Sequence, residues 1–226
     1  MSRDRTGSTA LSGRADLGPL DRWIREELPD VGSFKGVGYL NEYVKVLGPR
    51  LPRMSFVVEL GVAEGASLLA WARLCPQARC LGIDRNPSPT LTSTLERLDL
   101  ADRVSVLECD HNDVVSIDAA IEGAPDLIVD DGSHLLEPAR RCFFRLFERL
   151  SPGGWYCLED WGAGYWESYG GPHAGVHRLL YEVLDEIAMP DRVKPEAGRY
   201  RQLGSPMPIS DFRVSTVEPI AFIQRS

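Results

Sequence analysis

The residues with the most chemistry in their spacing are Asp131 and His134, in the run Asp130-Asp131-Gly132-Ser133-His134, and the consecutive acids Glu159 and Asp160. Each group ends a short apolar run, DLIVDD (126–131) and WYCLED (155–160), of the kind that forms buried strands. Neighbouring parallel strands lie about 4.8 Å apart. If these two are neighbours, Asp131, Glu159 and Asp160 gather at one end of a sheet. No Lys or Arg stands close by in sequence, so the carboxylates repel one another unless a cation sits among them. Oxygen-only ligands select a hard ion, which makes Mg²⁺ the expectation, with Ca²⁺ or Mn²⁺ as substitutes. A plainer reading runs beside it: Asp131-Gly132 as a turn, Ser133 as a helix cap, and Glu159-Asp160 as a solvated loop.

A second constellation follows the apolar run FVVEL (56–60), where the chain reads Glu59-Leu60-Gly61-Val62-Ala63-Glu64-Gly65. Small residues at 61, 63 and 65 let backbone approach a ligand closely, and the next helix, which carries Ser67 in its first turn, presents unpaired N–H groups. Nicotinamide-binding and methyl-donor-binding proteins both use such a turn. It departs from the nicotinamide pattern GxGxxG at Ala63, and it carries an acid, Glu59, just before the first glycine. Asp84 ends the following strand, where a carboxylate accepts from a ribose diol in either cofactor class. Asp110 ends the strand after that, with His111 beside it, and Asp130 joins the candidate cofactor set from the fourth strand. The plain alternatives are a tight turn for packing, a helix N-terminal acid at Asp84 and a turn residue at Asp110.

These groups need a frame. FVVEL, CLGID (80–84), VSVLECD (104–110), DLIVDD and WYCLED alternate with the helix-like segments SLLAWARLC, TLTSTLERL, VVSIDAAIEG and HLLEPARRCFFRLFERL. Pro138 falls in the first turn of the last of these, where a missing N–H costs little. Strands apolar on both faces and joined through helices predict a parallel sheet covered on both sides. GVHRLLYEVLDEI adds a helix, and FRVSTVEPIAFIQR adds two short strands that finish the sheet. The fold class is α/β and doubly wound, mostly parallel, with a C-terminal antiparallel strand pair. Residues 1–18 read as a flexible tail. Residues 19–50 read as a helical segment that packs on or caps the core, with Phe34, Tyr39 and Tyr43 available to cover an acceptor site, and 51–226 form the main domain.

Composition bounds the function. The 226 residues carry a net charge of −8 and a sequence pI near 5.1, which disfavours a protein living on nucleic-acid phosphates or an anionic membrane. No run of about 18 apolar residues exists, so no membrane span is expected. The N-terminus lacks the apolar core of a signal peptide. Five cysteines without a CxxC pair suit buried free thiols in a reducing cytoplasm rather than disulfides or a thiolate zinc site. A homo-oligomer, by default a dimer, is expected on general grounds.

The acid–x–Gly–x–small–x–Gly turn resembles motif I of class I S-adenosylmethionine-dependent methyltransferases. The run DDGSH (130–134), the later Glu159-Asp160 pair and then Gly164-Tyr165-Trp166 together resemble the actinobacterial macrocin and mycinamicin O-methyltransferase family, which includes proteins labelled rhamnosyl O-methyltransferase and cephalosporin hydroxylase. The resemblance spans roughly residues 35–225 and is strongest from Phe56 to Trp166. It implies a Rossmann-like fold of the class I methyltransferase type. It also implies methylation of sugar hydroxyls with S-adenosylmethionine and Mg²⁺, with Asp131, Glu159 and Asp160 as metal ligands and His134 as general base. An auxiliary N-terminal domain of some members is absent from the matching pattern.

The chemistry asks for such parts. A sugar hydroxyl is a poor nucleophile at neutral pH; a divalent ion lowers its pKa, and a histidine within reach accepts its proton. His173 and His177 are rivals for that role, and His134 could instead be a capping or packing residue. Tyr165, Trp166 and Tyr169 offer flat faces for sugar C–H surfaces, with core packing as the competing explanation. Two further readings stay open: the same donor and metal acting on a non-sugar diol such as a catechol, and a nicotinamide-dependent oxidoreductase.

Overall fold

The computed structural model describes residues 18–27, 37–188, 193–196, 199–202 and 207–226. Five strands, β1 (Phe56–Leu60), β2 (Arg79–Asp84), β3 (Val104–Glu108), β4 (Leu127–Asp130) and β5 (Trp155–Leu158), run parallel. They alternate with α3 (Ala66–Leu74), α4 (Leu91–Arg97), α5 (Val114–Ala120) and α6 (Leu136–Leu146). Two helices precede them, α1 (Gly18–Glu27) and α2 (Val37–Leu47), and α7 (Gly171–Ala174) and α8 (Arg178–Ala188) follow. A small hairpin, β6 (Val193–Glu196) with β7 (Arg199–Gln202), stands apart from the main sheet. Of the last two strands, β8 (Ile209–Val214) and β9 (Ala221–Arg225), β9 pairs antiparallel with β5 and β8 pairs antiparallel with β9 at the edge of the main sheet.

The sheet order is β3-β2-β1-β4-β5-β9-β8, which reverses between β1 and β4. Ligands in doubly wound sheets lie beyond the carboxyl ends of the strands at that reversal. β4 and β5 are neighbours, with Asp130 opposite Leu158, so the acids that follow each strand leave the sheet side by side.

Every residue of β1, β4 and β5 is buried, as strands covered on both faces must be. Period-two alternation divides them between two cores. Val57, Val129, Trp155 and Cys157 pack with α1, α2 and α3 on one face. Val58, Ile128, Tyr156 and Leu158 pack with α5, α6 and α8 on the other. That parity decides where the polar residues at the strand ends point. Glu59 and Glu159 continue the α2–α3 face, and Asp130 continues the face shared with Tyr156.

The N-terminal helical segment expected over 19–50 appears as α1 and α2, whose Leu20, Ile24, Leu40, Tyr43 and Leu47 belong to the first core. The tail expected over 1–18 and Phe34 fall outside the described residues, apart from Gly18, which opens α1. Among the described residues no helix is long and apolar enough to cross a membrane.

Candidate active site

The turn after β1 is held in place by backbone conformations that favour glycine. Gly61 has φ 85°, and a side chain there would bring its Cβ 2.2 Å from the Asp131 carbonyl oxygen, so the turn runs directly against the exit of β4. Gly65, at φ 92°, leads into α3, and Ala63 also takes a left-handed conformation at φ 44°. Asp84 clips this turn: its Oδ2 accepts from the amides of Val62 and Ala63, each at 2.9 Å, and its Oδ1 accepts from the amide of Asn86 at 2.8 Å. Glu59 is fully buried beneath the turn and accepts from the Trp71 indole N–H at 3.0 Å.

A cavity of about 270 Å³ opens at the sheet reversal. Its lining brings together Gly61, Val62, Ala63, Glu64, Ala66 and Ser67 from the turn and α3, Asp131, Glu159 and Asp160 from the ends of β4 and β5, and Tyr39 from α2. Of the residues expected to hold a cofactor, Gly61, Ala63 and Ser67 line this space, and Gly65 shapes the turn behind it. Glu59 and Asp84 support the turn from below and from the side. Asp110 stands apart, exposed after β3, where its Oδ1 accepts from the Asn112 backbone and side-chain amides; those donors hold its carboxyl below the usual carboxylate range.

His111 and Asp130 work from behind. Asp130 is buried, accepts from the Tyr156 hydroxyl at 2.5 Å and lies 3.2 Å from His111 Nε2. Burial works against its charge, but the His111 ring, the Tyr156 hydroxyl and the Gly132 amide outweigh it and hold Asp130 below the ordinary aspartate value. For His111, burial opposes the imidazolium and the Asp130 carboxylate favours it; the carboxylate wins, and the direction is upward. The Ser133 amide donates to Nδ1 at 3.1 Å, which only an unprotonated Nδ1 accepts, so it restrains that rise and fixes the Nε2–H tautomer of the neutral ring. A Cβ on Gly132 would sit 2.6 Å from this ring. The His111 ring therefore grips the turn between Asp130 and Ser133, and so sets the position of Asp131 and His134.

In front, Asp131, His134 and Asp160 bring one ligand atom each within 4.8 Å of one another, the grouping among the described residues that could hold a metal ion. His134 Nε2 lies 3.9 Å from Asp131 Oδ1. His134 (φ 52°) and Asp160 (φ 48°) both have left-handed backbones, a strain that clusters at functional sites. Glu159, 1% exposed, lines the same cavity but sits deeper, accepting from the Tyr43 hydroxyl at 2.5 Å. The Tyr39 hydroxyl donates to Asp160 Oδ1. Burial, and then Asp160 beside it, push the Tyr39 phenol up; burial and Glu159 do the same for Tyr43, so both phenols are donors at neutral pH. Among the described residues that line the cavity there is no lysine or arginine. Sequence reasoning named Tyr39 and Tyr43 only as a cover for the site. Their i, i+4 spacing was the available signal that both phenols share one face of α2.

The rival histidines lie elsewhere. His177 is 3% exposed, stacked on Tyr165 with ring centroids 4.0 Å apart, with Nε2 3.2 Å from the Pro172 carbonyl oxygen. His173 is exposed on α7. Tyr165 thus belongs with His177, whereas Tyr169 meets the His134 ring edge-on at 6.1 Å and Trp166 lies 6.2 Å from Tyr169.

Residues 58–161 match the family model described as a methyltransferase domain. The L-olivosyl-oleandolide 3-O-methyltransferase of Streptomyces antibioticus is 31% identical over 163 residues, covering 68% of this chain and 40% of that protein. The mycinamicin VI 2''-O-methyltransferase of Micromonospora griseorubida is 32% identical over 124 residues, covering 51% of this chain and 29% of that protein. The chain spans less than half the length of these curated relatives. Among solved structures, the MycE methyltransferase of the mycinamycin pathway, in complex with Mg, SAH and mycinamycin VI, matches 95% of this chain and 54% of its own with a TM-score of 0.72 at 23% identity, a likeness of fold.

Proposed function

We propose that this chain, which carries a methyltransferase domain over residues 58–161 and is related to sugar O-methyltransferases, transfers a methyl group from S-adenosylmethionine to a sugar hydroxyl with the help of Mg²⁺. The observation that carries the reading is one cavity lined both by the glycine turn and by Asp131, Glu159 and Asp160. The likeness of fold to a methyltransferase described with Mg and SAH supports it. So do the names of the relatives, which favour a sugar over a catechol.

The donor set fits each group. The Gly61–Ser67 turn and the start of α3 offer backbone amides and close approach to S-adenosylmethionine, with Asp84 keeping the turn in shape. S-adenosylmethionine supplies an electrophilic methyl on a sulfonium. Asp131, Glu159 and Asp160 would hold Mg²⁺, since carboxylate oxygens suit a hard ion and none of the described residues lining the cavity is a lysine or arginine that would balance them. Mg²⁺ supplies Lewis acidity that lowers the pKa of a neighbouring hydroxyl.

His134 belongs to the same cluster, but imidazole is a poor partner for so hard an ion, which leaves the ring free for proton transfer. His134 Nε2, 3.9 Å from Asp131 Oδ1 and so at the edge of the carboxylate cluster, takes the proton of the acceptor hydroxyl. His111, gripping Ser133 and paired with Asp130, holds the turn that aims His134. Tyr169, against the His134 ring, and Trp166, 65% exposed, form the acceptor side, where aromatic faces meet sugar C–H surfaces and exclude water.

The test is transfer of a labelled methyl from S-adenosylmethionine to simple 6-deoxyhexosides such as methyl α-L-rhamnopyranoside, with and without EDTA. The proposal expects labelled glycoside, its loss with EDTA and its return with Mg²⁺. Labelling that survives EDTA would contradict the metal assignment.

A further inference from the structure

We propose that Tyr43 and Tyr39 are positioning residues of the cation site, holding Glu159 and Asp160 in the orientation the ion requires. This rests on the reading that these carboxylates hold Mg²⁺.

A strand continued through β5 would send Glu159 and Asp160 to opposite faces of the sheet. The left-handed backbone of Asp160, at φ 48°, breaks that alternation, and both carboxylates meet α2. The helix answers with phenols one turn apart, on one face. The Tyr43 hydroxyl donates to Glu159 Oε1 at 2.5 Å, and the Tyr39 hydroxyl donates to Asp160 Oδ1.

Tyr43 is rigidly placed. It is fully buried, edge-on to Trp71 with centroids 4.7 Å apart and to Phe222 at 5.3 Å, so its hydroxyl has little freedom to wander from Glu159. The helix is fastened independently, because Glu42 accepts from the Ser215 hydroxyl at 2.9 Å. Partners that orient ligating carboxylates matter to a metal nearly as much as the ligands do; losing one typically costs about 10–100-fold in affinity. Helix α2 is therefore part of the cation site through its two phenols rather than through a ligand.

The experiment measures Mn²⁺ binding to wild type, Tyr43→Phe and Tyr39→Phe by electron paramagnetic resonance of free Mn²⁺. S-adenosylhomocysteine affinity and Tm are measured on the same preparations. Both substitutions keep the ring and remove only the hydroxyl. Tyr43→Phe is expected to weaken Mn²⁺ about 10–100-fold while S-adenosylhomocysteine affinity is unchanged, with a smaller loss in Tyr39→Phe because Asp160 is only half-buried. Wild-type Mn²⁺ affinity in both variants would overturn the inference and leave the phenols as packing. Should Tyr43→Phe not fold, Tyr39→Phe carries the test alone, weakened binding supporting the inference and unchanged binding overturning it. A wild type that binds no Mn²⁺ would instead remove the cation reading itself, a different failure from that of the tyrosines.

Discussion

His134 Nε2 lies 3.9 Å from Asp131 Oδ1, three residues away along a turn in which His134 takes a left-handed backbone. This one turn delivers a carboxylate to the cavity and an imidazole to its rim. His134→Asn removes the proton acceptor while keeping a residue that tolerates φ 52°. It is expected to lower kcat by about 10²–10⁴ with S-adenosylhomocysteine affinity retained, as calorimetry and steady-state rates will read. Undiminished turnover would move the base elsewhere.

Gly61 is the tightest point of the glycine turn. Alanine there pays the left-handed backbone, about 1–2 kcal/mol, and places Cβ 2.2 Å from the Asp131 carbonyl oxygen. A Tm fall of at least about 4 °C is expected together with loss of S-adenosylhomocysteine binding. A variant of native Tm that still binds would show that the turn has room to spare.

Trp166 tests the acceptor side. It is 65% exposed and packs on Tyr169, so Trp166→Ala is expected to leave Tm nearly unchanged and to raise the KM for the glycoside more than it lowers kcat. An unchanged KM would assign Trp166 to some other surface.

At the far end of the sheet, Asp126 ties β1, β4 and the turn before β5. Its Oδ2 accepts from the Ser55 amide and hydroxyl and from the Phe56 amide, and its Oδ1 from the Ser151 hydroxyl. Burial raises its pKa, but these donors outweigh burial and hold it below the usual value. A depressed folded pKa means stability that is present above the unfolded value of about 3.9 and lost as pH falls through the folded one. The Tm difference between wild type and Asp126→Asn should therefore narrow below about pH 4. A difference that stays constant down to pH 2 would contradict this.

The frame was legible because apolar runs announce strands. FVVEL forms β1 over the same residues, and DLIVDD and WYCLED give neighbouring strands whose trailing acids share one cavity. The roles of individual polar residues were harder to read. Period-two parity already sends Asp130 to the Tyr156 face, yet nothing local says that His111 waits there. The left-handed turn at Asp160 has no glycine to betray it, and the Tyr43–Glu159 bond joins residues 116 positions apart. Such pairings depend on how α2 docks, which helical periodicity alone does not encode.

The most direct test of the central claim is a thermal-shift titration of S-adenosylhomocysteine against NAD⁺, each with Mg²⁺ and with EDTA. A ligand at 100 times its Kd adds about 2.7 kcal/mol, a shift on the order of 5–10 °C for a chain of this size. The account predicts that shift with S-adenosylhomocysteine, none with NAD⁺, and a separate response to Mg²⁺. A shift with NAD⁺ alone would contradict the reading of the Gly61–Ser67 turn, and the methyltransferase proposal with it.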